Sequence, residues 1–293
     1  MKKLLLICNP NAGRGLSAEK LLKCIEFFNA SGFLPEIYFT KKDDDLVEAL
    51  SAAKEDNANI VCMGGDGMIN LLTNAMIKNE VMIPFGYLPE GTTNDFAKSI
   101  GIPADFAGAL RSSVSENPVY TDSGVLMGRY FVYVAGFGIF TDVSYKTPQK
   151  AKNAFGYLAY VLEGARSIGE FKIYRLKVTV DDSEVIEDEF ILGMVTNSMS
   201  VAGMKSIAKG DTRLDDGRFE MLLLRKASNI QELSTLLSSV MAGNTNSPLI
   251  VYRQGRSFKF EGEELSWTLD GEYGGTYEDS EIRVSGKQMA LRI

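Results

Sequence analysis

The chain of 293 residues contains no histidine. That absence excludes Ser-His-Asp and Cys-His nucleophile systems, and with them His-ligated zinc or iron sites. Any proton transfer must therefore fall to Asp, Glu, Lys, Tyr or water. Cysteine is scarce: Cys8, Cys24 and Cys62 form no C-x-x-C pair. Cys8 and Cys62 lie in apolar strand-like runs and read as small buried hydrophobes, so a reducing cytosol is the expected compartment. Long hydrophobic runs are missing too. The longest near-apolar stretch, 130–140, is about half of the ~20 residues that a spanning helix needs. The apolar start stops at Asn9-Pro10, short of the roughly 7–15 residues of a signal-peptide core, and no small-residue cleavage site follows. A basic surplus is absent as well: 31 basic and 38 acidic residues give a net charge of −7, which argues against a nucleic-acid binder. What remains, 45% hydrophobic and 24% charged residues, is ordinary globular composition at a length of about two domains.

Residues 1–122 alternate strand and helix patterns. Strands are expected at 3–8, 36–39, 60–63 and 83–88, with helices at 17–29, 44–53 and 67–77 and shorter helical pieces near 95–99 and 106–113. Such alternation predicts an α/β domain with a doubly wound parallel sheet, whose ligands bind beyond the carboxyl ends of the strands. The unusual residues gather at those ends. From 123 to 293 strand patterns dominate: 130–134, 176–180, 190–196, 219–224, 257–260, 266–269, 282–284 and 290–293. Only two helices, 149–167 and 230–241, interrupt them. A β-rich, sandwich-like second domain is expected, and its last strand is free to pack on the first domain.

Three loops carry chemistry. Asn9-Pro10-Asn11-Ala12-Gly13 joins a buried strand to a helix, where backbone N–H groups can face an anion. It lacks the third glycine of a dinucleotide fingerprint, the second strand ends in Thr40 rather than an acid, and no Walker sequence occurs. Taken alone, the loop reads equally well as a tight turn. Gly64-Gly65-Asp66-Gly67 is sharper: three glycines permit close backbone approach to phosphates, and Asp66 supplies an oxygen ligand suited to Mg²⁺. Its plainer reading is a turn whose Asp caps the next helix. The third loop is Pro89-Glu90-Gly91-Thr92-Thr93-Asn94-Asp95-Phe96-Ala97.

These loops, in this order and at this spacing, resemble the diacylglycerol kinase catalytic-domain family of lipid kinases. The likeness continues through Leu214-Asp215-Asp216-Gly217 and Asp270-Gly271-Glu272, so it covers essentially the whole chain, and it is nearest the soluble bacterial enzymes. The resemblance implies an NAD-kinase- and phosphofructokinase-like first domain and transfer of the ATP γ-phosphate to the hydroxyl of diacylglycerol or a related lipid. ATP would lie among Asn9, Pro10, Asn11, Ala12, Gly13, Thr40, Gly64, Gly65, Gly67, Thr92 and Thr93. Asp66 and Asp95 would hold a Mg²⁺–water network, Asn94 would orient Asp95, and Glu272 would be the general base. Asp216, with the main-chain carbonyls of Arg213 and Arg218, would bind a second, structural Mg²⁺. Phosphoryl transfer needs little beyond positioning and charge stabilisation, so carboxylates, N–H groups and Mg²⁺ suffice. Read without the resemblance, Glu272 is a solvated residue in a turn and Asp216 part of a D-G turn. Two positions depart from the family pattern: Met68 stands where Thr is usual, and Leu71 follows Asn70 where Glu is usual. An NAD kinase and a non-catalytic nucleotide- or lipid-binding module are the alternatives.

The acidic total hides a basic region. Segment 129–177 holds eight basic residues and three acidic ones, a net +5, which leaves −12 on the remainder. With the apolar helix expected at 149–167, it is a candidate for contact with a membrane surface and its anionic phospholipid headgroups, or else an ordinary buried helix with solvated flanks. The expectation is a cytoplasmic protein that associates peripherally with membrane; homodimer formation stays open.

Overall fold

The computed structural model describes residues 1–10, 15–41, 46–91, 94–138, 172–197, 200–201, 204–205 and 213–293. They divide into two compact units, Met1–Thr121 with Lys287–Ile293, and Asp122–Gly286. The helix expected at 149–167, and most of the basic segment with it, lies outside the described residues.

In the first unit, strand β1 (Lys2–Cys8) is buried from Leu4 to Cys8. It runs parallel between β2 (Phe33–Phe39) and β3 (Asn59–Gly64). Strand β4 (Phe85–Pro89) lies parallel to β3, and Leu291 and Arg292 of the chain's last strand lie parallel to β4. A strand buried on both faces needs an unbroken apolar run, and Leu4–Cys8 and Ile60–Met63 provide one. Helix α1 (Ala18–Ala30) is capped by Ser17, whose hydroxyl accepts the Lys20 N–H at 3.2 Å, and buries Cys24 and Phe28 one turn apart. Helix α2 is Val47–Glu55, beginning at the edge of the undescribed 42–45. Helix α3 (Asp66–Lys78) buries Ile69, Leu72, Thr73 and Met76 at helical spacing. Short helices α4 (Asp95–Ser99) and α5 (Phe106–Ser112) follow. The parallel α/β architecture expected for this part is present.

The second unit is a sandwich built around a shared strand. Its elements are β5 (Pro118–Leu126, entering from the first unit), β6 (Arg129–Phe131), β7 (Val134–Gly138), β8 (Tyr174–Val180) and β9 (Glu184–Thr196). A short pair, β10 (Ser200–Val201) and β11 (Met204–Lys205), precedes β12 (Phe219–Arg225) and helix α6 (Ile230–Met241). Then come β13 (Ile250–Gly255), β14 (Ser257–Glu261), β15 (Leu265–Leu269), β16 (Glu272–Tyr277) and β17 (Ser280–Arg292). The first half of β9 pairs with β8; its second half pairs with β7 and β12. That long strand carries the chain from one layer to the other, so their inner faces enclose one core. Phe137 sits at its centre, edge-on to Trp267 (5.0 Å between ring centroids), Tyr174 (5.4 Å) and Phe260 (5.8 Å). Gly193 lies directly under Phe137, because no side chain fits between them.

The strand expected at 130–134 is two strands. The main-chain N–H groups of Val132, Tyr133 and Val134 donate to the carboxylate of Asp270 at 2.8–3.0 Å and so leave the ladder. Residues 190–196 are only the buried half of β9; its exposed half alternates too weakly to be read from sequence.

Glu220 is a buried carboxyl in β12. Its Oε1 accepts from Gln254 at 3.1 Å, and its Oε2 has no hydrogen-bond partner among the described residues. Burial, with the Asp216 charge adding to it, pushes its pKa up to about 7. An acid whose folded pKa exceeds its unfolded value holds its proton more tightly when folded, so stability falls as pH rises from about 4.5 to about 7 and then levels off. In chelator-containing buffer, Glu220→Gln should remove a loss on the order of 3 kcal/mol over that window; a pH series of denaturant melts that runs parallel for both proteins would contradict this. Gly193→Ala should cost roughly 1–3 kcal/mol through overpacking against Phe137, read by the same melts.

Candidate functional site

In the first unit the loops of interest leave the carboxyl ends of neighbouring strands, and their starting points are tied together. Asn9 N–H donates to Met63 O (3.0 Å), Thr40 N–H to Cys8 O (2.9 Å) and Glu90 N–H to Gly64 O (2.7 Å). Thr40 Oγ1 lies 3.4 Å from the same Cys8 carbonyl, and Pro10 O accepts the Leu16 N–H. Each loop thus starts where its strand's hydrogen bonding ends.

The G-G-D-G and P-E-G loops meet backbone to backbone. A Cβ on Gly65 would fall 3.1 Å from Gly91 Cα, and one on Gly91 would fall 2.7 Å from Gly65 Cα. Asn94 completes the second loop: its backbone is left-handed (φ 49°), its Oδ1 accepts Gly91 N–H at 2.7 Å and its Nδ2 donates to Gly91 O at 3.1 Å. These described bonds shape the loop around Gly91. Helix α3 starts at Gly65 without a side-chain cap, so the capping reading of Asp66 does not hold; Asp66 lies in the first turn. Its Oδ1 is 3.4 Å from the Phe96 N–H. Burial, and next the Asp66 charge, hold the Tyr87 hydroxyl well above its usual pKa, and that hydroxyl donates to Gly64 O at 3.1 Å. Met68 is buried, packed under Gly64, whose absent Cβ would lie 2.6 Å from Met68 Cβ. Leu71 is half-buried on the same helix. Gly67 sits in the first turn of α3.

Asn11, Ala12, Gly13, Thr92 and Thr93 lie outside the described residues, as does the side chain of Asp95. Asn9, Pro10, Thr40, Gly64, Gly65, Asp66, Gly67 and Asn94 are all at the strand ends of one sheet. Sequence reasoning missed Lys20, whose Nζ lies 2.5 Å from Glu90 Oε2, because charges seventy positions apart give no local signal.

In the second unit, Asp270 (φ 50°) and Gly271 (φ 89°) form the two-residue turn between β15 and β16. Positive φ at both central residues matches the right-handed twist of a hairpin, which explains the D-G pair. Asp270 is 3% exposed and neutralises the three N–H dipoles at 132–134, whereas Glu272, two residues on, points into solvent at the start of β16. One acid is structural and the other accessible. Asp216 is exposed; its Oδ1 accepts the Arg218 N–H at 2.9 Å, and Arg213 pairs with Asp215 at 3.2 Å. This turn is held by a buried acid absent from the sequence reading, Asp122, which accepts the Gly217 N–H at 2.7 Å and donates its own N–H to Leu214 O. The signal available was a Thr-Asp-Ser run inside a strand. Among the described residues no three acidic or cysteine side chains converge on a metal-sized point.

A parallel sheet with phosphate-suited glycine loops at its carboxyl end, followed by a β-sandwich, defines the class of kinases that includes NAD kinases and diacylglycerol kinases. The Archaeoglobus fulgidus NAD kinase in complex with ATP shares the fold (TM-score 0.53, 11% identity, 99% of this chain and 93% of that one). A diacylglycerol kinase from Bacillus anthracis is closer in structure (TM-score 0.73, 23% identity, 99% and 96%). Residues 3–126 match the diacylglycerol kinase catalytic domain, and residues 135–290 the YegS C-terminal NAD kinase beta sandwich-like domain. The chain is 31% identical over 277 residues to the diacylglycerol kinase of Staphylococcus aureus, covering 94% of this chain and 87% of that one. It belongs to the diacylglycerol kinase family and is a lipid kinase.

A methyl group at the joint of the two loops has nowhere to go. Gly91→Ala should therefore weaken nucleotide binding at least about ten-fold, measured at a temperature where the variant is still folded. Binding of a fluorescent ATP analogue by the variant as tight as by the parent would show that the loops do not form the nucleotide site.

Proposed function

We propose that the enzyme transfers the γ-phosphate of ATP to the free hydroxyl of diacylglycerol, producing phosphatidic acid. The observation that carries the reading is the close approach of Gly65 and Gly91 beside Asp66, in a chain of this family. The loops that follow β1, β3 and β4 line the phosphates, and Thr40 closes the adenosine side. Asp66, with Asp95, would hold Mg²⁺. The donors are all oxygen, which fits a hard cation, and since the described acids do not form a closed cage the ion would keep water and phosphate oxygens in its shell. When bound, it would neutralise charge on the phosphates. Glu272 removes the hydroxyl proton; its exposure leaves it open to an acceptor arriving from solvent or membrane. Asp216, with the carbonyls of Arg213 and Arg218, is the proposed place for a structural Mg²⁺. Its turn is already ordered by Asp122, so that ion would reinforce a formed loop.

No helix among the described residues is long and apolar enough to cross a membrane. The lipid is reached by peripheral binding from the cytoplasm, with the basic segment 129–177 supplying attraction to anionic headgroups. An ATP-transfer assay on mixed micelles should label diacylglycerol and leave NAD, offered as a soluble control, unlabelled. Glu272→Gln should lower kcat by about 10²–10⁴-fold while ATP binding is kept. A variant of normal rate would remove Glu272 as the base, and label on NAD alone would overturn the lipid assignment.

A further inference from the structure

We propose that Lys20 is a positioning residue of the nucleotide site, acting through Glu90 by cancelling its charge where the two glycine loops meet; this rests on the reading of those loops as the ATP site. Glu90 occupies the joint. Its N–H is spent on Gly64 O, its chain neighbour Gly91 backs onto Gly65, and its side chain is 17% exposed. Burial raises the pKa of both Tyr87 and Cys24, and the Glu90 charge adds to it at each. Nothing about the loop's backbone calls for an acid at this position. An uncompensated carboxylate here would repel a triphosphate, because charges at a partly covered site are poorly screened.

Lys20 meets that charge from another element. It stands in the first turn of α1, just after the Asn9–Leu16 loop, with Nζ 2.5 Å from Glu90 Oε2 and 5.7 Å from the centroid of the Phe106 ring. The aromatic face and the carboxylate together fix the ammonium. The contrast with Lys23–Glu19 on the same helix is instructive: both of those side chains are more than half exposed, they lie one turn apart, and they link nothing. Lys20–Glu90 instead ties the start of α1 to the β4–α4 loop, so one pair links the elements that follow two of the loops and cancels the Glu90 charge.

This division of labour predicts an asymmetric response. Binding of a fluorescent ATP analogue to the full chain should weaken about five- to ten-fold in Lys20→Met, which exposes the Glu90 charge. Glu90→Gln should bind at least as tightly as the parent, the double variant should return to within about two-fold of it, and Lys20→Arg should keep parental affinity. In turnover, Lys20→Met should raise the KM for ATP with kcat changed less than about two-fold. Two equal single-variant losses with no recovery in the double variant, tracking melting temperature, would mean a purely structural pair and overturn the inference. Unchanged affinity in Lys20→Met beside normal parental binding would overturn it too, with the ATP reading intact. A parent that binds no nucleotide would overturn both.

Discussion

Two glycines without room for a side chain between them organise the catalytic half of this protein. Gly65 and Gly91 leave adjacent parallel strands, and their backbones approach so closely that a Cβ on Gly91 would collide with Gly65 Cα and one on Gly65 would crowd Gly91 Cα. Such proximity requires β3 and β4 to end in register, which the Glu90–Gly64 hydrogen bond secures, and it requires Asn94 to turn the chain back with its amide bonded to both polar groups of Gly91. Buried Met68 beneath Gly64 and the Tyr87 hydroxyl on the Gly64 carbonyl support the same corner from below. Asp66, in the first turn of α3, takes its place from this corner.

Carboxylates do a different job in the second unit, where two are buried and aimed at main-chain N–H groups. Asp270 accepts three of them and breaks one expected strand into two; Asp122 accepts one and orders the turn around Asp216. A buried charge is tolerable only when hydrogen bonds satisfy it, and main-chain dipoles are the donors at hand at a sheet's end. Glu272 follows the Asp270 anchor by two residues, and Asp216 lies in the turn that Asp122 orders from far along the chain, so each accessible acid takes its placement from a buried one. The lack of histidine fits this economy, since a lipid hydroxyl can give its proton to a carboxylate.

The alternation of strand and helix was legible up to about residue 113 because a parallel sheet demands continuous apolar strands and amphipathic helices, both local patterns. The glycine loops were legible for a related reason: glycine, proline and asparagine appear where backbone geometry leaves little other choice. The second unit was read as β-rich, yet β5 and β13 went unanticipated and β9 was seen only in its buried half. Strands of a sandwich are selected by cross-strand partners, and those partners lie far along the chain. Lys20–Glu90, Asp122 and Asp270 were opaque for the same reason, as each acts on residues distant in sequence.

Composition and motif alone determined that no imidazole can serve as a base, that glycine loops follow the strands of a parallel sheet, and to which family the chain belongs. Those are matters of residue chemistry and short-range spacing, written in consecutive positions. Tertiary structure decided which acids are buried anchors and which face solvent, that Met68 is a packing residue, and that the two glycine loops share a joint balanced by a lysine from another element. Burial and charge neutralisation depend on what surrounds a side chain in space, which the order of residues does not state.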